Sequence, residues 1–398
     1  FMAEFDLDAA RVIGTSDGLS EFDVDEALTS LVDRSLVQRS VADDGTTRFS
    51  LLETMRAYGR ERLAEAGCAD EVRDAHATYV DEILSDLVLR SLGPDEGVVH
   101  RRIRSLTPDS LVALDRWIEQ ANWGRAIGIA QSHTDAAAGV FAAMIERTAF
   151  AFNRSDADTS TIDPFDRLYL SIIAPGGALG ELHGEPIVDV LLELFESGTR
   201  PPRDVVAGSF LSLVFAEFDD VSYGIVRRFV GGFDDAPAIV RFSWLADFQI
   251  ALMFALWIDT ATALQPEIER LANELDSSIA RRRCAAMLAL QAEQAGEFAI
   301  GVRHAERAIV DVERPSGHDA LAAMRLVRLR ARAGERVTGD DLRRPLDWCR
   351  TESLVILMSG SLCSTAVAVD HLGRTELAER MVRQVTPISV RPVFAQLY

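Results

Sequence analysis

The sequence predicts a mainly α-helical protein with one small β-hairpin near its start. Apolar residues recur at three- and four-residue spacing along most of the chain, which indicates amphipathic helices. One strand-turn-strand pattern stands out, within the first 65 positions, and no β-α-β alternation follows it. Small residues then return at similar intervals in the later helices. We therefore expect a compact helix-and-hairpin unit followed by an irregular helical solenoid.

The first clear helix follows residue 23. Asp23 and Glu26 resemble a capping box, which would start the helix at that point. The apolar residues that would share its buried face are Val24, Ala27, Leu28, Leu31, Val32 and Leu36.

Two strands and a further helix complete this first unit. Residues 36–41 and 46–51 have strand character, and the Asp44-Gly45 pair between them suits a tight hairpin turn. Helical spacing then resumes from Leu51 to Leu63, and Gly67 would end that helix. The order helix, helix, hairpin, helix is that of a winged helix, so residues 1–68 are predicted to form a winged-helix-like domain.

Two helical regions are expected beyond it. Residues 69–150 would form a connector that contains the first helix pair, beginning with a helix over 70–92. Residues 151–398 would form the repeat domain. Gly296, Gly334 and Gly373 lie 38 and 39 positions apart and mark its turns. The matching small-residue patterns are Leu288-Ala289 with Gly296, Gly301, Ala305 and Ala308; Ala366 with Gly373 and Ala378; Ala121-Asn122-Trp123 with Ala126 and Ala130; and a degenerate copy at 331–335.

These patterns resemble tetratricopeptide helix pairs, in which small residues let two antiparallel helices pack closely. Repeat arrays of this kind usually bind peptides or partner domains. The resemblance implies that the region after residue 151 recognises a protein or a small ligand.

Composition excludes several chemistries for this segment. All 41 basic residues of the 398-residue chain are arginine, so a phosphate-binding Gly-x-x-x-x-Gly-Lys-Ser/Thr loop and a Schiff-base lysine are excluded. The four cysteines are widely spaced, which indicates neither a zinc site nor a disulfide framework. No catalytic constellation, cofactor site or metal site is predicted. We expect a non-enzymatic, cytoplasmic chain with no membrane partner.

Three stretches of the first unit carry a family resemblance: residues 5–10, 28–37 and 48–58. Together they resemble the winged-helix segment of bacterial STAND signal-transduction ATPases, as in large LuxR-type regulators and actinobacterial proteins with nucleotide-cyclase domains. In that family a nucleotide-binding domain precedes the winged helix and tetratricopeptide-like repeats follow it. The resemblance implies ATP or ADP in an upstream domain. It also makes Glu53 an interdomain candidate that either touches that domain or its nucleotide, or has an ordinary capping role.

Charge bears on the partners of both regions. Residues 1–68 carry 14 acidic and seven basic residues, a net charge of −7, which disfavours binding to DNA phosphates and favours intramolecular docking. Arginines concentrate in residues 281–344, which carry 13 arginines and nine acids. The candidate docking residues for an acidic partner are Arg281, Arg282, Arg283, Arg325, Arg328 and Arg332; the alternative is a solvated helix surface.

The sequence therefore predicts a regulatory and sensor region of a signal-transduction ATPase. Its helical repeats would bind a protein or ligand, and the winged helix would relay that event to a transcriptional or cyclic-nucleotide output. The alternatives are a stand-alone winged-helix transcription regulator that binds DNA itself, and a helical scaffold. An enzyme with an unrecognised site is a third class that no motif supports.

Overall fold

The computed structural model describes residues 1–15, 18–42, 45–155, 181–182, 185–186, 224, 236–254, 257–310, 317–351, 366–367, 369–370 and 373–385. Helices dominate these residues, as predicted. The helices are α1 (Leu7–Thr15), α2 (Glu21–Asp33), α3 (Glu53–Ala66), α4 (Ala69–Leu89), α5 (Glu96–Ser105), α6 (Thr107–Glu119), α7 (Trp123–Gln131), α8 (Ala138–Asn153), α9 (Ala238–Phe254), α10 (Ile258–Glu274), α11 (Ser278–Gln294), α12 (Phe298–Ala308), α13 (Gly317–Arg332), α14 (Gly339–Thr351) and α15 (Thr375–Val385). The strands are β1 (Val37–Val41), β2 (Thr47–Leu51), β3 (Glu181–Leu182) and β4 (Glu185–Pro186).

The N-terminal unit is the predicted winged helix. Strands β1 and β2 pair antiparallel, with Val37 opposite Leu51, and Phe5 pairs with Phe49 through an isolated antiparallel bridge. Both predicted strands are confirmed within one residue at their starts. Asp43 and Asp44 of the predicted turn lie outside the described residues.

Helix α2 begins earlier than predicted. Its N-cap is Ser20, whose hydroxyl accepts from the Asp23 amide, while the Asp23 carboxylate accepts from the Ser20 amide at 2.9 Å. Asp23 is therefore the third helical residue of the capping box, and the prediction that the helix starts at Asp23 was wrong. Serine is the better N-cap here because its short hydroxyl reaches a free amide of the first turn.

The next two helices follow the predicted order. Helix α3 ends at Gly67, which adopts φ 77° and caps the last carbonyls, as predicted. The helix predicted over 70–92 is confirmed as α4, although it ends three residues earlier, at Leu89.

A single hydrophobic cluster links the helices from α4 to α11. It includes Ala77 and Leu84 in α4, Trp117 in α6, Trp244 in α9 and Leu290 in α11, all buried. This cluster spans the predicted domain boundary at residue 150. The domain bounds 69–150 and 151–398 themselves stay predictions.

The turns of the predicted repeats share one backbone geometry. Gly296, Gly334 and Gly373 have φ values of 77°, 78° and 74°, and Ala121 has φ 53°. At each turn the next amide donates to a carbonyl five residues earlier, as in the bond from Glu297 N to Ala292 O at 2.8 Å. This is the Schellman arrangement, which favours glycine because positive φ is strained for other residues.

Gly301 allows two helices to approach closely. A Cβ atom at this position would lie 2.8 Å from Leu329 Cδ2, so a side chain on α12 would collide with α13. Ala305 and Ala308 on the same helix are fully buried. The same Cβ would lie 3.4 Å from Ala289 O of α11, the partner helix in the predicted pair, so the glycine allows close approach on both sides. The assignment to a tetratricopeptide family stays a prediction.

Glu96 joins distant parts of the chain. Its buried carboxylate accepts hydrogen bonds from Ser277 Oγ at 2.5 Å, from the Ile279 amide at 3.0 Å and from Ser278 Oγ. Glu96 thereby caps the N-terminus of α11, where unpaired amides favour a negative charge. Residues 181 positions apart in sequence are held together in this way.

Candidate regulatory interface

The winged-helix unit is attached to the helices behind it through Asp109. This carboxylate lies in the first turn of α6 and is 2% exposed. It accepts from the Met2 amide at 2.6 Å, from the Ala3 amide at 3.0 Å, and from His76 Nε2 at 3.0 Å. One buried carboxylate therefore accepts hydrogen bonds from the segment before α1 and from α4.

A second ionic contact crosses the same interface. Asp6 lies 2.6 Å from Arg48 of β2 and 3.1 Å from Arg102 of α5. The two guanidinium groups come from different sides of the interface, so Asp6 bridges the winged helix and the connector. All three side chains are mostly shielded from water, which makes this pairing stronger than a surface ion pair.

Aromatic packing fills the space between these polar contacts. The Phe1 ring stacks on Phe5 with centroids 4.5 Å apart and meets Tyr79 of α4 edge-on at 6.4 Å. Burial, with the nearby Asp6 carboxylate, raises the pKa of Tyr79 to about 12. We call the contacts of Asp109, Asp6 and these rings the docking interface of the winged helix.

The pKa of Asp109 makes this interface sensitive to acid. Burial alone would raise that pKa, but the hydrogen bonds from His76 and the Met2 amide hold it below its ordinary value. A group with a lowered folded-state pKa stabilises the fold above its unfolded pKa of about 3.9, and this contribution is lost as the pH falls through the folded-state value.

We therefore expect the stability difference between the wild type and Asp109→Asn to shrink as the pH falls from about 4.5 to about 3. Urea unfolding of both proteins across this range measures the difference. A gap that stays constant down to pH 3 would show that Asp109 is not ionised with a lowered pKa in the fold.

The outer face of α2 is acidic. The helix contains five carboxylates and no basic residue, and Glu21, Asp23, Glu26 and Asp33 are exposed. Phe22 is 73% exposed on the same helix. In a helix-turn-helix the second helix normally enters the DNA major groove. Here that helix would bring its carboxylates against phosphates, which costs electrostatic free energy.

Glu53 lies in the first turn of α3 and is exposed. Its N-cap neighbour Leu52 makes no side-chain capping bond. The Glu53 carboxylate lies near the helix N-terminus, where unpaired amides favour a negative charge. The interdomain role of Glu53 stays a prediction.

The structure separates the predicted arginine triplet into three environments. Arg281 pairs with Asp276 at 3.0 Å on the surface, and Arg282 lies 3.3 Å from the buried Asp319. Arg283 pairs with Asp135, which lies in the loop before α8. Consecutive helical residues point in different directions, so the three arginines have separate ion-pair partners.

The other three arginines surround one carboxylate. Glu293 is 7% exposed and accepts two bonds of 2.6 Å from Arg328. Arg325 and Arg332 place nitrogens 3.6 Å and 3.7 Å from the same carboxylate. Burial, with Arg328 close by, lowers the pKa of Arg325 to about 10. Docking of an acidic partner by all six arginines stays a prediction, and such a partner would compete with these internal carboxylates.

Comparison with known proteins gives the first unit its assignment. Residues 1–64 match the family model described as a winged helix-turn-helix domain. The chain begins with a winged-helix domain. Over 89 residues it is 44% identical to proteins of Mycobacterium tuberculosis and Mycobacterium bovis that are named as provisional HTH-type transcriptional regulators. The match covers 22% of this chain and a tenth of each relative. It supports the winged-helix domain and leaves the nucleotide-binding neighbour as a proposal.

In the part of the chain that the structure describes, no group of three or more metal-ligating side chains comes together. Across those same residues, no helix combines the length and the apolar character that crossing a bilayer requires.

Sequence reasoning missed the acids that organise the winged-helix interface and the repeats. Asp109 and Glu96 lie in the first turns of their helices and Glu293 lies near the end of α11, and none of the three was among the predicted site residues. One signal for Glu293 was present: Arg325, Arg328 and Arg332 repeat at helical spacing and need a counter-charge.

Proposed function

We propose that this chain is a non-catalytic part of a transcription regulator in which the winged-helix domain transmits a signal to other protein domains instead of reading DNA. The observation that carries the proposal is the buried attachment of Asp109 to Met2, Ala3 and His76. A shift in the position of α4 or α6 would reach the segment before α1 directly through this carboxylate.

The acidic face of α2 supports the same function. The acidic residues of α2 and the exposed Phe22 suit a basic protein surface with an apolar pocket better than they suit DNA. The proposed neighbour is an upstream nucleotide-binding domain of the STAND type that binds ATP or ADP. Signal transfer would then require the repeats and that domain to favour different positions of the winged helix.

A measurement of DNA binding tests the first half of the proposal. We expect the chain to show no saturable binding to labelled 30-base-pair duplexes of random sequence in 50 mM salt, at protein concentrations up to about 100 µM. This range covers the Kd values of about 10⁻⁴ to 10⁻⁶ M that non-specific DNA-binding proteins show. Fluorescence anisotropy is the readout.

A charge-reversed variant is the matched control. Glu21→Arg, Glu26→Arg and Asp33→Arg all change exposed residues of α2 and together raise the net charge by six. This variant should bind with a Kd of about 10⁻⁵ M, which would show that the assay detects a winged helix whose helix α2 is basic. Sequence-selective binding by the wild type below about 10⁻⁶ M in 150 mM salt would replace the proposal with DNA recognition, which the family match itself favours.

The upstream domain has its own test. An antibody raised against this chain should detect, in the source cells, a product well above 43.7 kDa. A product near that mass would remove the nucleotide-dependent part of the mechanism.

A further inference from the structure

A cleft of about 510 Å³ lies between α10, α11 and the end of α12. Its floor is small and apolar, with Ala272 and Cys284 almost fully buried and Leu288 half-buried. The volume is that of a site for a small molecule. The cleft belongs to neither the docking interface nor the acidic face of α2.

The rim of the cleft is polar and rich in arginine. Arg281, Arg282 and Arg307 line it, with Glu269 as the one carboxylate among the lining residues. The neutral polar groups on the rim are Asn273 and Ser278. The lining therefore carries three guanidinium groups against one carboxylate.

The three arginines differ in how strongly they are held. Arg282 is fixed by Asp319 at 3.3 Å and by Ser278 Oγ at 3.1 Å. Arg281 pairs with the exposed Asp276 and has no other ion-pair partner among the residues that the structure describes. Arg307 is exposed and forms no ion pair with any residue that the structure describes. Two guanidinium groups can therefore turn toward a ligand without breaking a buried contact.

We infer that this cleft binds a small organic anion, whose carboxylate or phosphate is held by Arg281 and Arg307 while its carbon skeleton rests on the apolar floor. Asn273 provides a further hydrogen bond, and Glu269 accepts from a hydroxyl or amine of the ligand. The inference deepens the proposed regulatory function, because it assigns a ligand class to the helical region.

The thiol of Cys284 takes no part as a reactive group. Burial and the nearby Glu269 raise its pKa to about 12, so the thiol is neutral at physiological pH. It supplies an apolar surface to the floor of the cleft.

Isothermal titration calorimetry with two probes, glutarate and inorganic phosphate, tests the inference. Each titration is compared with a titration of sodium chloride at equal ionic strength. We expect at least one probe to bind the full chain with a Kd of about 1 mM or tighter, and the tighter one identifies the anionic group. Arg307→Gln should weaken that binding about tenfold or more, since it removes a charge-assisted hydrogen bond. Ala285→Leu, which narrows the cleft without changing its charge, should weaken glutarate more than phosphate.

Arg343→Gln is the matched control, because Arg343 is exposed on α14 and pairs with the exposed Asp340 three residues before it. Its binding constants should equal those of the wild type. Equal losses in Arg307→Gln and Arg343→Gln, or binding of neither probe by a wild type with normal helical content, would overturn the inference. DNA recognition by the winged helix would overturn the proposed function and leave these binding data unchanged.

Discussion

Asp109→Asn is expected to release the segment before α1 of the winged-helix domain from helices α4 and α6. The substituted amide keeps one acceptor, but its NH₂ group would face the donors of Met2, Ala3 or His76. Buried donors that lose their partner carry their full desolvation cost. We expect a loss of about 3 kcal/mol in the free energy of docking, with helices α9–α13 retained.

Hydrogen exchange measures this release locally. The amides of Phe5 and Phe49, which bond to each other's carbonyls at 2.9 Å and 2.7 Å, should exchange about 100-fold faster in the variant. Asp115→Asn is the control on the same helix, because Asp115 is 36% exposed and its ion pair is with the exposed Arg147. That change should alter exchange by less than about fivefold. Equal protection of Phe5 in both variants would show that Asp109 does not hold the interface.

Glu293→Gln should destabilise the packing of α11 against α13. Glu293 is the shared counter-charge of Arg325, Arg328 and Arg332. Its replacement by glutamine removes this negative charge from between three guanidinium groups that lie close together. Removing one partner from a buried ionic group costs about 3–5 kcal/mol. Thermal unfolding followed by circular dichroism, with hydrogen exchange in α11 and α13, measures the effect.

Glu306→Gln provides the comparison for this prediction. Glu306 also pairs with an arginine of α13, Arg330 at 2.8 Å, but its side chain is 47% exposed. Its replacement should cost less than about 1 kcal/mol. If both variants unfold alike, the three arginines do not depend on Glu293, and the sequence-based prediction that they are free to dock an acidic partner gains support.

Local signals explain which parts of the fold could be predicted. The hairpin, the turn glycines and helices α2 to α4 are encoded within a few residues of each site, so periodicity and turn chemistry located them. The start of α2 was misplaced because Asp23 was interpreted as the cap, although Ser20 with Asp23 has the better capping pattern.

The docking interface could not be predicted in the same way. Asp109 acquires its role only when residues 107 positions earlier are folded against it, and an acid in the first turn of a helix is otherwise unremarkable. The cleft was not predicted: charge selected Arg281 and Arg282 only as docking candidates for an acidic partner, whereas Arg307 is identified by its place on a neighbouring helix.

Glu96 has a consequence for how this protein can change in evolution. In a simple repeat array each unit contacts only its neighbours, so units can be gained, lost or exchanged one at a time. Here the first turn of α11 depends on a carboxylate from α5, and Arg283 of α11 depends on Asp135. Deleting or transplanting the later helices would leave Glu96 buried without its donors. The helical region is therefore inherited as a whole, and new specificity has to arise by substitutions within it.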